Sequence, residues 1–312
     1  MQQKSVTVII PLFNPEPWLP HISRFITANS GISFLLIITK STDDANEDAN
    51  FPLVSVNTQI MQIPQHEFNH GATREFARKI VHSDIVVFLT QDAVPVSPDL
   101  IEKLLAPLLV DECVAVSYGR QIPHDGADIL EAYPREFNYA EESQIRSMSD
   151  VDKYGVYTFF CSNSCAAWKN AALDEIGGFK AVLTNEDYFA VADLLQHGYK
   201  IAYTPTAVVK HSHKYTLWQE FQRYFDTGYV RAVNPIIQQL VGQAESRGLG
   251  FLSGLLSHLW RKKPLWIPYA LLQSLVKWLG YRVGFWGKNL PVSIKRRLSQ
   301  QAYYWDMQNL VK

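Results

Sequence analysis

Cysteine is scarce in this chain, long apolar runs are missing, and over one long stretch acidic residues are absent altogether. Among 312 residues there are three cysteines, Cys113, Cys161 and Cys165. So small and odd a number excludes a disulfide framework and points to reduced thiols and a cytoplasmic site. Cys161 and Cys165 lack the second ligand pair that a zinc site needs, so they read as small buried residues. Residues 1–5 are polar, and the apolar run 6–11 is too short for a secretory h-region, so no leader is expected. No segment approaches the roughly 20 apolar residues of a bilayer span. No G-x-G-x-x-G follows the first apolar run, which excludes the dinucleotide-binding fingerprint.

The missing acid lies in residues 246–305, which hold ten lysines and arginines and no aspartate or glutamate. Asp306 and Lys312 cancel beyond it, so a whole-chain net charge of −1 leaves −11 on residues 1–245. An acidic body with a basic tail predicts that the tail faces a polyanion. Apolar stretches 249–259 and 265–276 are separated by Arg261, Lys262, Lys263 and Pro264, and Trp260, Trp266, Tyr269, Trp278, Tyr281 and Trp286 are interspersed. That mixture suits a helix lying in an anionic membrane interface. A helical subdomain with a merely solvated basic face is the lesser alternative.

What is present in the first half is strand–helix alternation. Short β-branched or apolar runs at 6–11, 34–39 and 85–90 read as parallel strands covered on both faces. Helical patterns fall between them, at 18–28 and at 72–81, where Phe76 and Ile80 are four apart. Ser97-Pro98-Asp99 reads as a helix start, with Ile101, Leu104, Leu105 and Leu108 on one face. The fold class expected is therefore α/β, a doubly wound sheet binding ligands at the carboxyl ends of its strands. Residues 119–155 lack a clear period and read as an insertion or acceptor loop. Helices are expected at 171–176, 188–197 and 217–230, and short strands at 201–204 and 207–211, broken at Pro205.

Four groups of residues are suited to chemistry. Asp92, in Thr90-Gln91-Asp92, stands at the carboxyl end of the third strand, where a carboxylate can hold Mg²⁺ or Mn²⁺ against a diphosphate; a plain loop aspartate is the alternative. Glu186 and Asp187 open a helix, where they serve either as capping acids or as a general base. His211 and His213 are two apart in an extended segment and so share a side, as metal ligands or as ordinary polar residues. Arg74 suits a phosphate or base contact, or a surface salt bridge.

The order of these groups resembles the family 2 glycosyltransferases, in particular their bacterial rhamnosyltransferase branch. The matching stretches include Val8-Ile-Ile-Pro-Leu-Phe-Asn14, Phe68-Asn-His-Gly-Ala-Thr-Arg74, Phe88-Leu-Thr-Gln-Asp-Ala93 and Tyr118-Gly-Arg-Gln-Ile-Pro123. Further matches are Phe159-Phe-Cys-Ser-Asn-Ser164, Glu186-Asp187, His211-Ser-His213, Gln219-Glu-Phe-Gln-Arg-Tyr-Phe-Asp226 and, in the tail, Tyr304-Trp305. The resemblance implies a GT-A fold over residues 1–235, with a nucleotide-sugar half at 1–118 and an acceptor half at 119–235. Residues 236–312 would form a basic, Trp-rich helical region associated with the membrane. It implies an inverting transfer of L-rhamnose from dTDP-β-L-rhamnose to a polyprenyl-diphosphate-linked saccharide, in the synthesis of a surface polysaccharide such as O-antigen. In that scheme Asp187 is the general base with Glu186 beside it. Mg²⁺ or Mn²⁺ sits on Asp92 with His211 and His213. The nucleotide is lined by Pro11, Phe13, Asn14, Asp43, Arg74, Gln91 and Asp92.

Two departures from the family pattern stand out. Thr90 occupies the place of the first aspartate of D-x-D, and the strand ending near Ile38 runs into a shortened segment in which Asp43 or Asp44 would meet the base. Alternatives are a UDP- or GDP-hexose transferase, a non-catalytic nucleotide-sugar-binding module, and a membrane-surface scaffold. No nucleic-acid partner is expected, and the enzyme is expected on the inner face of the bacterial cytoplasmic membrane.

Overall fold

A computed structural model describes residues 4–40, 57–241 and 245–310. The strands are β1 (Val6–Leu12), β2 (Ser33–Lys40), β3 (Thr58–Pro64), β4 (Ile85–Leu89), β5 (Val94–Pro95), β6 (Val114–Ile122), β7 (Gln144–Arg146), β8 (Cys165–Lys169) and β9 (Lys200–Lys210). They form one sheet in the order β3-β2-β1-β4-β8-β6-β9-β5, with β7 on the side of β9. The first four pair in parallel, whereas β8 runs antiparallel to both β4 and β6. The sheet is thus mixed, and the expectation of an α/β sheet with parallel strands is met in its first half.

Helices α1 (Leu19–Ala28), α2 (His70–Val81), α3 (Leu100–Val110), α4 (Ile129–Asn138), α5 (Val151–Tyr154), α6 (Asn170–Glu175) and α7 (Glu186–Gln196) alternate with the strands. The pleat explains why both faces are covered. Val8, Ile10 and Leu12 of β1 pack with Ile22, Phe25 and Ile26 of α1, while Ile9 faces Ala77 of α2 and the larger core around Trp168. Two details differ from the sequence reading. Asp99, and not Ser97, precedes the first turn of α3. Residues 200–210 form one strand through Pro205, whose register against β6 slips between Gly119 and Arg120; the break is a bulge, the usual place for a strand proline. The 119–155 stretch contains α4, capped by Asp128 accepting from the Leu130 and Glu131 amides.

Helix α8 (Leu217–Val233) ends the 1–235 segment, and the tail after it is built from α9 (Ile236–Val241), α10 (Glu245–Lys262), α11 (Ile267–Trp286), α12 (Val292–Leu298) and α13 (Ala302–Leu310). Glycines let α11 lie against α8 almost backbone to backbone. A Cβ at Gly284 would come within 2.0 Å of the Phe225 carbonyl oxygen, and one at Gly280 within 2.4 Å of that of Phe221. The chain then returns to the sheet. Trp305 of α13 is 0% exposed, edge-on to Tyr229 of α8. Among the described residues no helix is long and apolar enough to cross a membrane.

Gly284→Ala should therefore cost about 1–3 kcal/mol or more through overpacking, read as a lowered midpoint in chemical denaturation. Gly248→Ala, where an added Cβ meets nothing within 4 Å, should leave the midpoint unchanged or raise it slightly.

Candidate active site

Two clusters of polar side chains occupy the carboxyl-end side of the sheet. The first joins the end of β4 to the end of β9. Oδ2 of Asp92 lies 3.4 Å from Nε2 of both His211 and His213, and the two Nε2 atoms are 3.1 Å apart. One ligand atom from each residue falls within 4.8 Å of the others. His211 Nδ1 contacts Gln121 Oε1 at 2.9 Å, which orients the imidazole with Nε2 toward Asp92. Burial drives His211 below its ordinary value and holds His213 down at about 3, so both imidazoles are neutral near pH 7. Burial alone would raise Asp92, but its contacts with His211 and His213 outweigh that and keep it ionised. An anionic carboxylate with two neutral imidazole lone pairs is a donor set for a divalent cation, and the Gln121 amide orients its buried histidine. The chemistry of these residues fits the metal expected from the sequence.

The second cluster surrounds Glu186 and Asp187 at the start of α7. Asn69 caps α2 by accepting from the Ala72 amide, and its Nδ2 donates to the Val182 carbonyl. Gly71 permits the close approach that follows, since a Cβ there would meet the Lys180 oxygen at 2.0 Å. Drawn together in this way, Arg74 of α2 and Glu186 of α7 form a buried ion pair at 2.7 Å. Burial alone would raise Glu186, but Arg74 and His70 hold it below the ordinary carboxylate value. Its neighbour has no such partner. Burial, and next the charge of Glu186, push Asp187 up to about 7. Asp187 accepts the Asn163 amide at Oδ2 (3.1 Å) and the Tyr188 amide at Oδ1 (2.9 Å), which fixes the carboxylate plane.

A cleft of about 260 Å³ borders Arg74 of the second cluster and Thr90 and Gln91, the two residues before Asp92. Its lining includes Pro11 and Phe13 at the end of β1, Thr39 at the end of β2, Arg74, Thr90 and Gln91, and Tyr303 from the tail. Gln91 clamps β1 to β4: its Oε1 accepts the Phe13 amide and its Nε2 donates to the Phe13 carbonyl. Asn14, with φ of 45°, is exposed just outside this lining. Asp43 and Asp44 lie outside the described residues. A second cleft, about 390 Å³, opens beyond His213 between Asp128 and Glu131 of α4 and Trp266 and Tyr269 of the tail.

The structure therefore brings Asp92, His211 and His213 together, and separately Arg74, Glu186 and Asp187. Arg74 is buried and pairs through Nη1 with Glu186, so it is no surface salt bridge, and it borders the cleft, where the phosphate contact read from the sequence would be made. Gln121 and Asn163 were quoted within matching stretches, but their roles emerge only from contacts over 90 and 24 positions of sequence. Tyr303, beside a quoted pair, carried no chemical signal of its own. Arg135 and Arg223 also carry positive charge close to His213, and neither was singled out from the sequence.

Comparison with known proteins bears on the same residues. A family model described as "Glycosyltransferase like family 2" matches residues 5–227. The O-antigen chain rhamnosyltransferase RfbN of Salmonella typhimurium is 39% identical over 305 residues, covering 96% of each chain. WbaN of Salmonella anatum, also an O-antigen chain rhamnosyltransferase, is 41% identical over 307 residues, 97% of this chain and 96% of that one. Among solved structures, the mannosyltransferase PcManGT of Pyrobaculum calidifontis, in complex with GDP-Man and Mn²⁺, superposes with a TM-score of 0.56 at 16% identity, over 99% of this chain and 88% of that one. TarS of S. aureus gives 0.54 at 14% identity, over 98% and 88%. At such identities the likeness is one of fold.

Calorimetric titration with Mn²⁺ should show one site that His211→Ala abolishes. Gln121→Leu, which leaves all three ligands in place, should weaken it about 10–100-fold.

Proposed function

The chain belongs to the family 2 glycosyltransferases, and from that premise we propose an inverting rhamnosyltransferase that uses dTDP-β-L-rhamnose and a polyprenyl-diphosphate-linked saccharide in O-antigen or related polysaccharide synthesis. The observation that carries the catalytic part is the inequality of two adjacent carboxylates. Glu186 is neutralised by Arg74 and stays ionised, while Asp187 sits at about 7, where a base is both available and effective. The choice of sugar rests on the two rhamnosyltransferase relatives, each matched over 96% of its length.

In this reading Asp187 takes the proton of the acceptor hydroxyl as its oxygen bonds to the anomeric carbon from the face opposite the leaving group. The bond between that carbon and the diphosphate oxygen breaks with its electron pair going to the diphosphate. A divalent cation held by Asp92, His211 and His213 would supply Lewis-acid stabilisation of that leaving charge. Arg135 and Arg223 add fixed positive charge at the same end. The Gln91 clamp holds the β1 and β4 ends in register as the floor of the donor cleft.

The body at 1–235 and the tail at 236–312 divide the labour: the body carries the chemistry and the tail faces the membrane. Supporting this, Leu271, Leu275, Trp278 and Trp286 of α11 are exposed, as is Trp260 at 74% and Leu265 at 93%. Arg282 lies 5.5 Å from both the Trp278 and Trp286 rings, and Arg261, Lys262 and Lys263 are exposed at the turn from α10 to α11. Apolar stems and rings rimmed by cations suit an anionic lipid interface. Not all of the tail's charge is available for this. Lys277 pairs with buried Glu220 at 3.2 Å, Arg296 with Asp306, and Lys295 is buried near Trp305.

Transfer at saturating acceptor should rise about tenfold per pH unit toward a plateau above about pH 7. Glu186→Gln should shift that limb to lower pH, because a negative neighbour of Asp187 is removed. Asp187→Asn should lose about 10²–10⁴-fold in rate and still bind dTDP; undiminished transfer would refute its role. A panel of dTDP-, UDP- and GDP-sugars, scored by donor hydrolysis, decides among the donors. For the membrane, Leu275→Glu with Trp278→Glu should stop flotation with anionic vesicles and leave donor hydrolysis intact; unchanged flotation would remove α11 as the contact.

A further inference from the structure

The tail has a second task that its charge does not reveal. After α12 the chain turns back toward the sheet, and α8 directs the turn. Gln222 Nε2 donates to the Ser299 carbonyl at 3.0 Å and to that of Arg297 at 3.3 Å. The buried Asp226 carboxylate accepts the Gln300 amide at 3.0 Å. Trp305 then fills the core against Tyr229, and Asp306 pairs with Arg296 at 2.6 Å. Held at these points, α13 presents Tyr303 to the donor cleft, with its ring centroid 6.0 Å from that of Phe68. The tyrosine hydroxyl is already satisfied within its own segment, donating to Gln301 Oε1 at 2.8 Å. What remains to face the cleft is the ring.

We infer that the Tyr303 ring, delivered by the C-terminal helix, is a wall of the donor site and contacts the nucleoside part of the bound nucleoside diphosphate. The position follows from the sheet. Thr90 just past β4, Pro11 on β1 and Thr39 on β2 follow three successive strands along the cleft floor. A diphosphate anchored near Asp92 extends its nucleoside across β1 toward β2, under Phe68 and Tyr303. An aromatic face tolerates any nucleobase, so this wall contributes affinity, and base identity is read elsewhere. The donor half is thereby completed by a residue of the C-terminal helix, far downstream of it in sequence. This inference rests on the donor reading of the cleft.

The test is calorimetric titration of dTDP with Mn²⁺ into the full chain. Tyr303→Ala should weaken binding about tenfold, the scale of losing one aromatic stack, and Tyr303→Phe should keep it within about twofold because the hydroxyl is satisfied internally. Wild-type affinity in Tyr303→Ala overturns the inference, as does an equal loss in Tyr303→Phe. Hydrogen exchange of the wild-type chain gives a readout independent of any variant: dTDP should slow exchange of the amides at 300–304, and unchanged exchange there also overturns it. If the wild-type chain binds none of dTDP, UDP or GDP, the donor reading itself falls; binding with no effect at 303 removes only this wall.

Discussion

The arrangement of the site depends on one buried ion pair, Arg74 with Glu186. Burying two charges is costly, and the cost is offset only when geometry and further hydrogen bonds are good. Here the separation is 2.7 Å, Asn163 Nδ2 gives Glu186 a further contact at 3.3 Å, and the Asn69 cap and Gly71 bring the two elements close enough to meet. Because Arg74 lies in the proposed donor half and Glu186 in the proposed acceptor half, the pair fixes one relative to the other. It also creates the inequality on which the proposed catalysis rests. With the arginine spent on Glu186, Asp187 feels its neighbour's negative charge and its own burial, and both push in the direction of a base poised near neutrality.

How much of this was legible beforehand differs by element. The parallel strands were, because β1, β2 and β4 are continuous apolar runs buried on both faces, and such runs have few other readings. Helix α4 was hidden by Pro134 in its middle, although Asp128 before Ile129 and Leu130 is an ordinary capping signal. The antiparallel entry of β8 between β4 and β6 had no signature, since a short apolar strand does not encode its direction. The chemical residues could be named but not grouped. That Asp92 meets His211 and His213 follows from β9 ending beside β4's loop, a long-range fact that periodicity does not contain. Tyr303 had no signal, because its meaning comes from the return of the tail.

That return also changes how the tail's composition is understood. An acid-free stretch suggested a tail turned toward the membrane, and the glycines at 280 and 284 also press α11 onto α8 while Trp305 is part of the main core. Among the ten cations, Lys277 pairs with Glu220 of the body, Arg296 pairs with Asp306, Arg247 lies over the Tyr157 ring and Lys295 is buried. Arg261, Lys262 and Lys263 are exposed. Net charge along a sequence therefore overstated the free charge of the surface, while the aromatic pattern described its shape well.

The two polar clusters could have been independent, and the turn at 161–164 shows why they are not. Gln121, which orients His211, donates its Nε2 to Ser162 Oγ at 2.9 Å. The next residue, Asn163, gives its amide to Asp187 and its side-chain nitrogen to Glu186, while its Oδ1 accepts from the buried Trp168 indole at 2.8 Å. One short turn thus holds the orienting group of the metal ligands and the carboxylate that would act as base. An in-line displacement requires the base and the leaving-group charge to stand on opposite sides of one carbon, so the distance between them matters as much as either alone. Tying both to adjacent residues, backed by a tryptophan with no exposure, sets that distance by the rigid core and not by mobile loops. In the proposed mechanism the ion pair selects which carboxylate is the base, and this turn sets where it stands.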